Sequence, residues 1–466
     1  MVLIKKAIVS FLGDSQVRQY VKLFSTRIFG ALLAVLIQIL IVRLTPLDQY
    51  GIYALALSWI TVLSIFPRFG MEIGINRFVP EYRATDKSYL VIPFIKFVLL
   101  FSFLFFMALI CGIALVAVVS QAFLSGVADL IRQYWLIFII SAVGLMITVV
   151  IPLLLSLLRS FHVLLIPELL DQIVRPLAMA VFVISLYFVF SISPSASILM
   201  AMFSATGIFS IIILIGLILP HLKDYNLKSP ILVDRALWRQ WLGLGLPVLI
   251  VYGLYTFIYK IDILMLGMLA TPEHVGIYNV ALKIAEFTSF GFLVANSILS
   301  PHITGLYTTG QTEKLQALLT KSILLTMGLT IPSTLFLMIV SPFVLNTFGQ
   351  AFEGGLIPLY ILMWGQCLMA FLGPASLILC LAGFQRKVLF VLMVCSGINI
   401  LLNYLLIIYL GMIGAAIGTF IFLISTNLLL AILLKKMTGL DSSFRAIRWN
   451  EIPALIGIPL VRRDGS

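Results

Sequence analysis

Long apolar stretches separated by short polar turns dominate the pattern of this chain. A helix needs about 20 consecutive apolar residues to cross the hydrocarbon core of a membrane. Twelve stretches meet this requirement, and each predicts a membrane-spanning helix. Their approximate limits are residues 23–42, 51–69, 94–119, 134–158, 166–190, 195–219, 242–269, 275–299, 322–345, 355–381, 388–409 and 411–434.

Prolines occur inside several of these stretches. In a bilayer, neighbouring helices can satisfy the carbonyl groups that a proline leaves free. We therefore expect kinks rather than breaks at Pro152, Pro176, Pro247, Pro332 and Pro374.

Composition agrees with this pattern and excludes a soluble fold. The 466 residues are 62% hydrophobic and 10% charged, with a mean hydropathy of +1.17. A soluble domain is about 45–50% apolar and about 25% charged. The chain is therefore predicted to be an all-α integral membrane protein.

No resident metal or nucleotide site is predicted. The four cysteines lie inside apolar runs without C-x-x-C spacing, and the four histidines are far apart in the sequence. A Gly-rich phosphate loop followed by Lys and Ser or Thr does not occur, so the pattern indicates neither an ATPase nor a zinc hydrolase.

The net charge of +12 predicts orientation rather than nucleic-acid binding. Outside the predicted spans, almost all basic residues lie on the face that carries both termini, and only Arg43 and Arg132 lie on the other. The positive-inside rule then places both termini in the cytoplasm. The outward loops are short, which argues against a membrane enzyme that needs an external domain, such as a polysaccharide polymerase or ligase.

The chain repeats itself with a shift of 225 residues. Gly51-Ile52-Tyr53 maps onto Gly276-Ile277-Tyr278, and most spans of the first half map onto spans of the second. Six spans per copy predict two lobes of six helices related by a pseudo-two-fold axis along the membrane normal, with a substrate site between them. The predicted organisation is an N-terminal segment at 1–22, a first lobe at 23–220, a linker at 221–241, a second lobe at 242–436 and a C-terminal tail at 437–466.

Charged residues inside the spans are the candidate functional groups, because charge at membrane depth is costly. Glu168, Asp171 and Arg175 share one face of the fifth predicted span and can pair with one another, and Lys283 and Glu286 are spaced to do the same. A structural ion pair is therefore an open alternative for each. Arg27, Arg68 and Lys96 lie near span ends and can reach the headgroups.

Two kinds of binding chemistry follow from these charges. The cations can bind phosphate oxygens of a polyanionic headgroup, and they are Arg27, Arg175, Lys260 and Lys283. The acids can carry a coupling proton or sodium ion, and they are Asp171, Asp262 and Glu286. Tyrosines of the seventh and eighth spans, including Tyr278, can contact sugar rings or serve only in packing. Asn399 and Asn403 are predicted to form hydrogen bonds between helices.

Several segments together resemble a known family. They are L-T-P-L-D-Q-Y-G-I-Y-A-L-A-L, F-G-M-E-I-G-I-N-R-F-V-P-E-Y-R, Y-K-I-D-I-L-M-L-G with V-G-I-Y-N-V-A, and G-I-N-I-L-L-N-Y-L-L with I-G-A-A-I-G-T. Over residues 20–436 the chain resembles the Wzx-type polysaccharide exporters. These belong to the multidrug/oligosaccharidyl-lipid/polysaccharide exporter superfamily, which also contains the MATE drug exporters and the lipid II flippase.

The resemblance implies a flippase in a bacterial inner membrane. Such a protein moves an undecaprenyl-pyrophosphate-linked repeat unit of an O-antigen or similar glycan from the cytoplasmic to the outer leaflet by alternating access. It implies contacts with membrane lipids and with other polysaccharide assembly proteins, no resident cofactor, and coupling to a proton or sodium gradient. The resemblance also implies that cationic residues of the cavity are functionally important, as a class of residue rather than by exact motif match. Asp262 lies in the segment that aligns best.

Two other transporter classes are alternatives to the flippase. A MATE-like cation-coupled multidrug exporter needs an acidic site, whereas the deep charges here are balanced or slightly basic. A major-facilitator transporter would carry a G-x-x-x-D-R-x-G-R type signature between spans two and three, and the chain lacks it.

Overall fold

The fold is entirely helical wherever it is described. The structure, a computed structural model, describes residues 15–123, 125–223, 225–226, 229, 234–289, 291–292, 303, 306–307 and 311–446. This part of the chain contains no β-strand. The predicted all-α membrane fold is confirmed.

Two compact units divide between Lys260 and Ile261, inside one long helix. The α-helices that lie in the first unit or begin there are α1 (Ser15–Leu44), α2 (Leu47–Leu63), α3 (Ile65–Arg68), α4 (Met71–Ala84), α5 (Val91–Phe123), α6 (Ser125–Ser160), α7 (Leu165–Leu169), α8 (Arg175–Phe190), α9 (Ala196–Ile218) and α10 (Arg235–Leu269). A single π-helical turn, Leu170–Val174, joins α7 to α8.

The second unit begins within α10. Its further α-helices are α11 (Pro272–Glu286), α12 (Thr312–Phe348), α13 (Leu356–Leu372), α14 (Ala375–Leu381), α15 (Gln385–Leu410) and α16 (Met412–Thr438). Within this unit α16 packs along both α13 and α15, and α13 also packs against α11 and α12.

Eleven helical segments among the described residues are long and apolar enough to cross a membrane. They correspond to the predicted spans one to seven and nine to twelve. The predicted eighth span, 275–299, begins in α11 and continues into residues that lie partly outside the described ranges. The count of twelve therefore stays a prediction.

Proline has different effects at different positions. Pro152, Pro247 and Pro332 lie inside continuous helices, so the helix does not break at these three prolines. Before Pro176 the helix widens into the π turn, because the ring of proline cannot fit against the carbonyl group four residues earlier, which belongs to Gln172.

At Pro374 the expectation of a kink is wrong, because the helix breaks. Helix α13 ends at Leu372 and α14 begins at Ala375. Gly373 has a left-handed φ of +64°, and a Cβ there would overlap the carbonyl oxygen of Ser442. The Ser442 hydroxyl donates a 3.0 Å hydrogen bond to the freed carbonyl of Leu372, so the break is filled by the segment that follows α16.

An aromatic cluster forms part of the core of the first unit. Trp241 at the start of α10 is 1% exposed and donates a 2.8 Å hydrogen bond from Nε1 to the hydroxyl of Tyr82 in α4. Its ring lies 5.0 Å from that of Phe94 and 4.9 Å from that of Phe97, both in α5. The beginning of α10 thus belongs to the core of the first unit.

Candidate functional site

A buried carboxylate forms the centre of a polar cluster in the second unit. Asp262 of α10 is 4% exposed. Its Oδ1 accepts a 2.7 Å hydrogen bond from Asn403 Nδ2 of α15, and its Oδ2 accepts one of 2.9 Å from the hydroxyl of Tyr278 in α11. Thr419 of α16 also donates to Oδ2. Four helices therefore meet at this one carboxylate, which we call the Asp262 centre.

Asparagine and glycine complete the Asp262 centre. Asn403 Nδ2 also donates to Asn399 Oδ1 at 3.3 Å, while Asn403 Oδ1 and Asn399 Nδ2 are buried without a hydrogen bond among the described residues. A Cβ at Gly418 would overlap Asn403 Oδ1, so only glycine lets α16 approach the amide this closely. The prediction of hydrogen bonds between helices is confirmed for Asn403, whereas the bond of Asn399 in the described ranges lies within α15.

The three partners of Asp262, together with Asn399 beside Asn403, differ in how well the sequence indicates them. The i, i+4 spacing of Asn399 and Asn403 marks a polar face on an otherwise apolar helix. Nothing in the sequence assigns Thr419 to this face. Tyr278 is fully buried and its hydroxyl bonds to Asp262, which agrees with the packing alternative considered for it.

The internal repeat places a buried tyrosine at equivalent positions in the two units. Tyr53 and Tyr278 both lie in the first turns of a helix that begins beside a Thr-Pro pair. Tyr278 contacts Asp262, and Tyr53 lies within electrostatic range of Arg175. Each unit thus has a buried repeat tyrosine that interacts with a candidate charged residue, through a hydrogen bond for Tyr278 and through electrostatics alone for Tyr53.

A second cluster lies at one end of the first unit. Glu168 in α7 is buried, with its side chain 6% exposed, and binds Arg27 of α1 through two hydrogen bonds of 2.8 and 3.2 Å. Arg159 of α6 adds a third bond of 3.3 Å to the same carboxylate. The predicted pairing of Glu168 within its own helix is not formed, because arginines from two other helices take its oxygens.

Arg175 makes a different contact from the one predicted. It is not within ion-pair distance of Asp171, although the charges are close enough to interact. The π turn between them changes the rotation per residue, so the α-helical spacing argument does not hold there. The guanidinium carbon lies 4.5 Å from the ring centroid of Phe203 in α9, and Nη2 is buried without a hydrogen bond among the described residues.

The remaining candidates lie apart from these clusters. Lys283 and Glu286 form a half-exposed i, i+3 ion pair of 3.0 Å on α11, as predicted. Lys260 is half-buried on α10, two residues before Asp262. Near the span ends, Arg68 pairs with Glu72 at 3.3 Å, and Lys96 donates to the carbonyl of Ser229 at 2.9 Å.

No metal-binding group of three or more His, Cys, Asp or Glu side chains occurs in the described ranges. The Asp262 centre instead joins one carboxylate to neutral hydroxyl and amide groups. These groups can hold a proton or a small cation, and the arginines of the first unit can hold an anion.

Comparison with known families and structures gives a consistent picture. The sequence profile of the family described as polysaccharide biosynthesis protein matches residues 17–307, and the MatE profile matches residues 247–405. The chain is 23% identical over 199 residues, 42% of each chain, to the "Probable low-salt glycan biosynthesis flippase Agl15" of Haloferax volcanii. It is 22% identical over 404 residues to an uncharacterized membrane protein of Methanocaldococcus jannaschii, covering 84% of this chain and 78% of that protein.

Two solved structures share the fold. The lipid II flippase MurJ in its inward closed conformation has a TM-score of 0.67 at 15% identity, covering 95% of this chain and 93% of its own. An inward-facing MATE-family multidrug resistance transporter of the MOP superfamily has a TM-score of 0.66 at 16% identity, covering 88% and 96%. The fold is therefore that of flippases and transporters in the MOP superfamily.

Proposed function

The chain belongs to the polysaccharide biosynthesis protein family, and from this premise we propose that it is a flippase for lipid-linked oligosaccharides. The proposed substrate is an undecaprenyl-pyrophosphate-linked repeat unit of an O-antigen or another surface glycan, moved from the cytoplasmic to the outer leaflet by alternating access. The family match over residues 17–307 carries the proposal. The names of the Haloferax relative and of the MurJ structure support it.

The proposed setting is the bacterial inner membrane with both termini in the cytoplasm. The balance of basic residues on the two faces supports this orientation. Membrane lipids and the lipid-linked substrate are the proposed partners, together with other polysaccharide assembly proteins. The protein carries out transport without an enzymatic step or a resident cofactor in this proposal.

The phosphate groups of the substrate are proposed to bind the intramembrane cations. Arg and Lys form charge-assisted hydrogen bonds to phosphate oxygens, which offset the loss of hydration inside the membrane. The candidate residues are Arg27, Arg175, Lys260 and Lys283.

The Asp262 centre is proposed to carry the coupling ion. In the described part of the chain, the partners of Asp262 are the neutral groups of Tyr278, Asn403 and Thr419. A buried carboxylate without a cationic partner is costly, and binding a proton or a sodium ion removes that cost. Asp171 and Glu286 are further candidates, but Glu286 already has Lys283 as its counter-charge.

Complementation tests the proposal. In bacteria that lack their own lipid-linked oligosaccharide flippase, we expect the chain to restore surface glycan and Asp262→Asn to abolish the rescue at equal expression. Asp86→Asn, a change at an exposed acidic residue, is the matched control and should retain full rescue. Failure to restore glycan in hosts with different repeat units would overturn the function, and full activity of Asp262→Asn would overturn the coupling role alone.

A cation-coupled multidrug exporter is the second candidate. It is favoured by the MatE match over residues 247–405, which contains both Asp262 and Asn403. Extrusion of cationic dyes by cells that express the chain distinguishes the two functions. We expect no extrusion, whereas Asp262-dependent extrusion without glycan rescue would replace the flippase by the exporter.

A further inference from the structure

The segment that follows α16 is tied to two helices of the second unit. We call this segment, residues 439–446, the strap. Gln316 of α12 donates a 2.8 Å hydrogen bond to the backbone carbonyl of Asp441 and accepts one of 2.9 Å from its backbone N–H. The Asp441 carboxylate forms a 2.9 Å ion pair with Lys435 of α16 and accepts bonds of 2.9 and 2.6 Å from the N–H and the hydroxyl of Ser443. The strap therefore connects the beginning of α12 to the end of α16.

The strap also enters the break between α13 and α14. Ser442 is fully buried, and its hydroxyl donates a 3.0 Å hydrogen bond to the carbonyl of Leu372. The backbone carbonyl of Ser442 lies where a side chain at position 373 would lie, so the strap fits only against Gly373. The ring of Phe444 lies 6.0 Å from that of Phe371 near the end of α13. The two sides of the break are thus shaped around the inserted strap.

The sequence around the break is compatible with a second conformation. The apolar pattern predicts one kinked helix over residues 355–381, because a proline in a membrane helix removes one hydrogen bond and usually leaves the helix continuous. Helix α12 is continuous through both Pro332 and Pro342. Pro374 alone therefore does not account for the break. The break also needs the positive φ of Gly373, +64°, and glycine adopts this conformation about as readily as a helical one.

We propose that the strap is a conformational latch of the second unit, which opens and closes during transport. With Ser442 inserted, the helix is broken at Gly373 and α12 is tied to α16. With the strap withdrawn, Gly373 becomes helical, α13 and α14 join into one kinked helix, and the tie on α12 is released. The hydrogen bonds that Ser442 and Gln316 make in the first state are offset by the helical hydrogen bonds that the break removes, so each state has stabilising contacts of its own.

Thiol labelling of the purified full-length protein measures withdrawal of the strap. The reporters are Ser442→Cys and Leu440→Cys, both at buried positions, in a chain whose four native cysteines are replaced by alanine. We expect Gly373→Ala to accelerate labelling at least about tenfold, because alanine disfavours the positive φ and overlaps the Ser442 carbonyl. Gln316→Leu, which removes both hydrogen bonds to the strap, should also accelerate it. Gly411→Ala is the matched control and should label like the parent, because Gly411 has a φ of +57° but its Cβ would meet no described atom within 4 Å.

Equal labelling rates in Gly373→Ala and Gly411→Ala, or protection of both reporters in every variant, would overturn the latch. Thermal unfolding identifies any variant that misfolds. If Gly373→Ala is one of them, Gln316→Leu with the Leu440→Cys reporter still decides the question. These measurements need no substrate, so their result holds even if the proposed flippase function fails.

A crosslink tests whether the latch opens during transport. The rings of Phe371 and Phe444 are neighbours, so cysteines at both positions can be joined by a short reducible bifunctional thiol reagent. In inside-out vesicles that contain the host's own lipid-linked repeat unit, we expect the crosslink to stop its transfer and reduction to restore it. Each single-cysteine variant, treated in the same way, is the control. Full transfer by the crosslinked protein would overturn the role of the latch in transport, whereas no transfer even before crosslinking would contradict the proposed function and leave the labelling result to decide the latch.

Discussion

Glu168 is the residue on which the electrostatic balance at one end of the first unit depends. It is buried and balances Arg27 and Arg159, which come from two other helices. Arg27 itself is 64% exposed, so part of its charge is solvated. We expect Glu168→Gln to lower the free energy of unfolding by about 1–3 kcal/mol, because the two arginines lose the carboxylate charge that accepts their hydrogen bonds.

Thermal or denaturant unfolding of the purified protein measures this effect. Glu81→Gln is the matched control, because Glu81 pairs with Arg77 at 3.8 Å between two exposed side chains. Such a surface pair contributes only about 0–1 kcal/mol. Equal losses in the two variants would contradict the assigned role of Glu168.

For individual residues of the candidate site, the sequence indicated which residues to consider better than it indicated which residues they contact. Charge at membrane depth singles out Asp262 and Arg175 as candidates, but helical spacing paired Arg175 with Asp171, whereas the structure has Phe203 beside it. The reason is the π turn caused by Pro176, since spacing rules assume a regular α-helix. Thr419 carries no signal in the sequence because a hydroxyl in a membrane helix commonly bonds to its own backbone.

In the segment after α16, we expect the charge of one carboxylate, that of Asp441, to stabilise the folded protein. Gln316 of α12 exchanges two hydrogen bonds, of 2.8 and 2.9 Å, with the backbone of Asp441. Burial raises the pKa of the Asp441 carboxyl, but hydrogen bonds from Ser443 and the ion pair with Lys435 outweigh burial and hold the pKa below its ordinary value. The carboxylate therefore stabilises the folded protein above the ordinary pKa of about 4, and this contribution is lost as the pH falls through the lowered value.

Asp441→Asn tests this linkage. We expect the variant to unfold at a lower temperature than the wild type at pH 7, and the difference to shrink as the pH is lowered below about 4. The measurement is thermal unfolding in detergent across that range. A difference that is constant from neutral to acidic pH would show that the charge of Asp441 does not stabilise this segment.

The apolar pattern predicted well where membrane helices occur, and it predicted less well whether each helix is continuous. Long runs with few charges specify a membrane helix almost by length alone, so eleven of the predicted spans have counterparts among the described residues. The break between α13 and α14 was missed because it depends on Ser442, seventy residues away, which bonds to the carbonyl of Leu372. Contacts between residues so distant in sequence are not visible in a local hydrophobic pattern.

For the whole molecule, orientation in the membrane is the property most directly open to test. The basic residues predict that the turn before α5 is cytoplasmic and that the turn before α13 faces outward. We expect a membrane-impermeant thiol reagent to label Glu353→Cys in intact cells, and Lys87→Cys only after permeabilisation. Both positions are exposed. The wild type, labelled in parallel, controls for the four native cysteines, and the opposite labelling pattern would reverse the predicted topology.

The burial of Trp241 in the first unit also has a consequence for the order of folding during synthesis. The ring fills the aromatic cluster of Tyr82, Phe94 and Phe97, yet it is translated after the sixth predicted span is complete. At ribosomal rates of about 5–20 residues per second, the stretch from Leu222 to Trp241 takes about 1–4 s to synthesise. During that interval the nascent chain has an open aromatic core, so the first unit finishes folding only when the ribosome has started the second half.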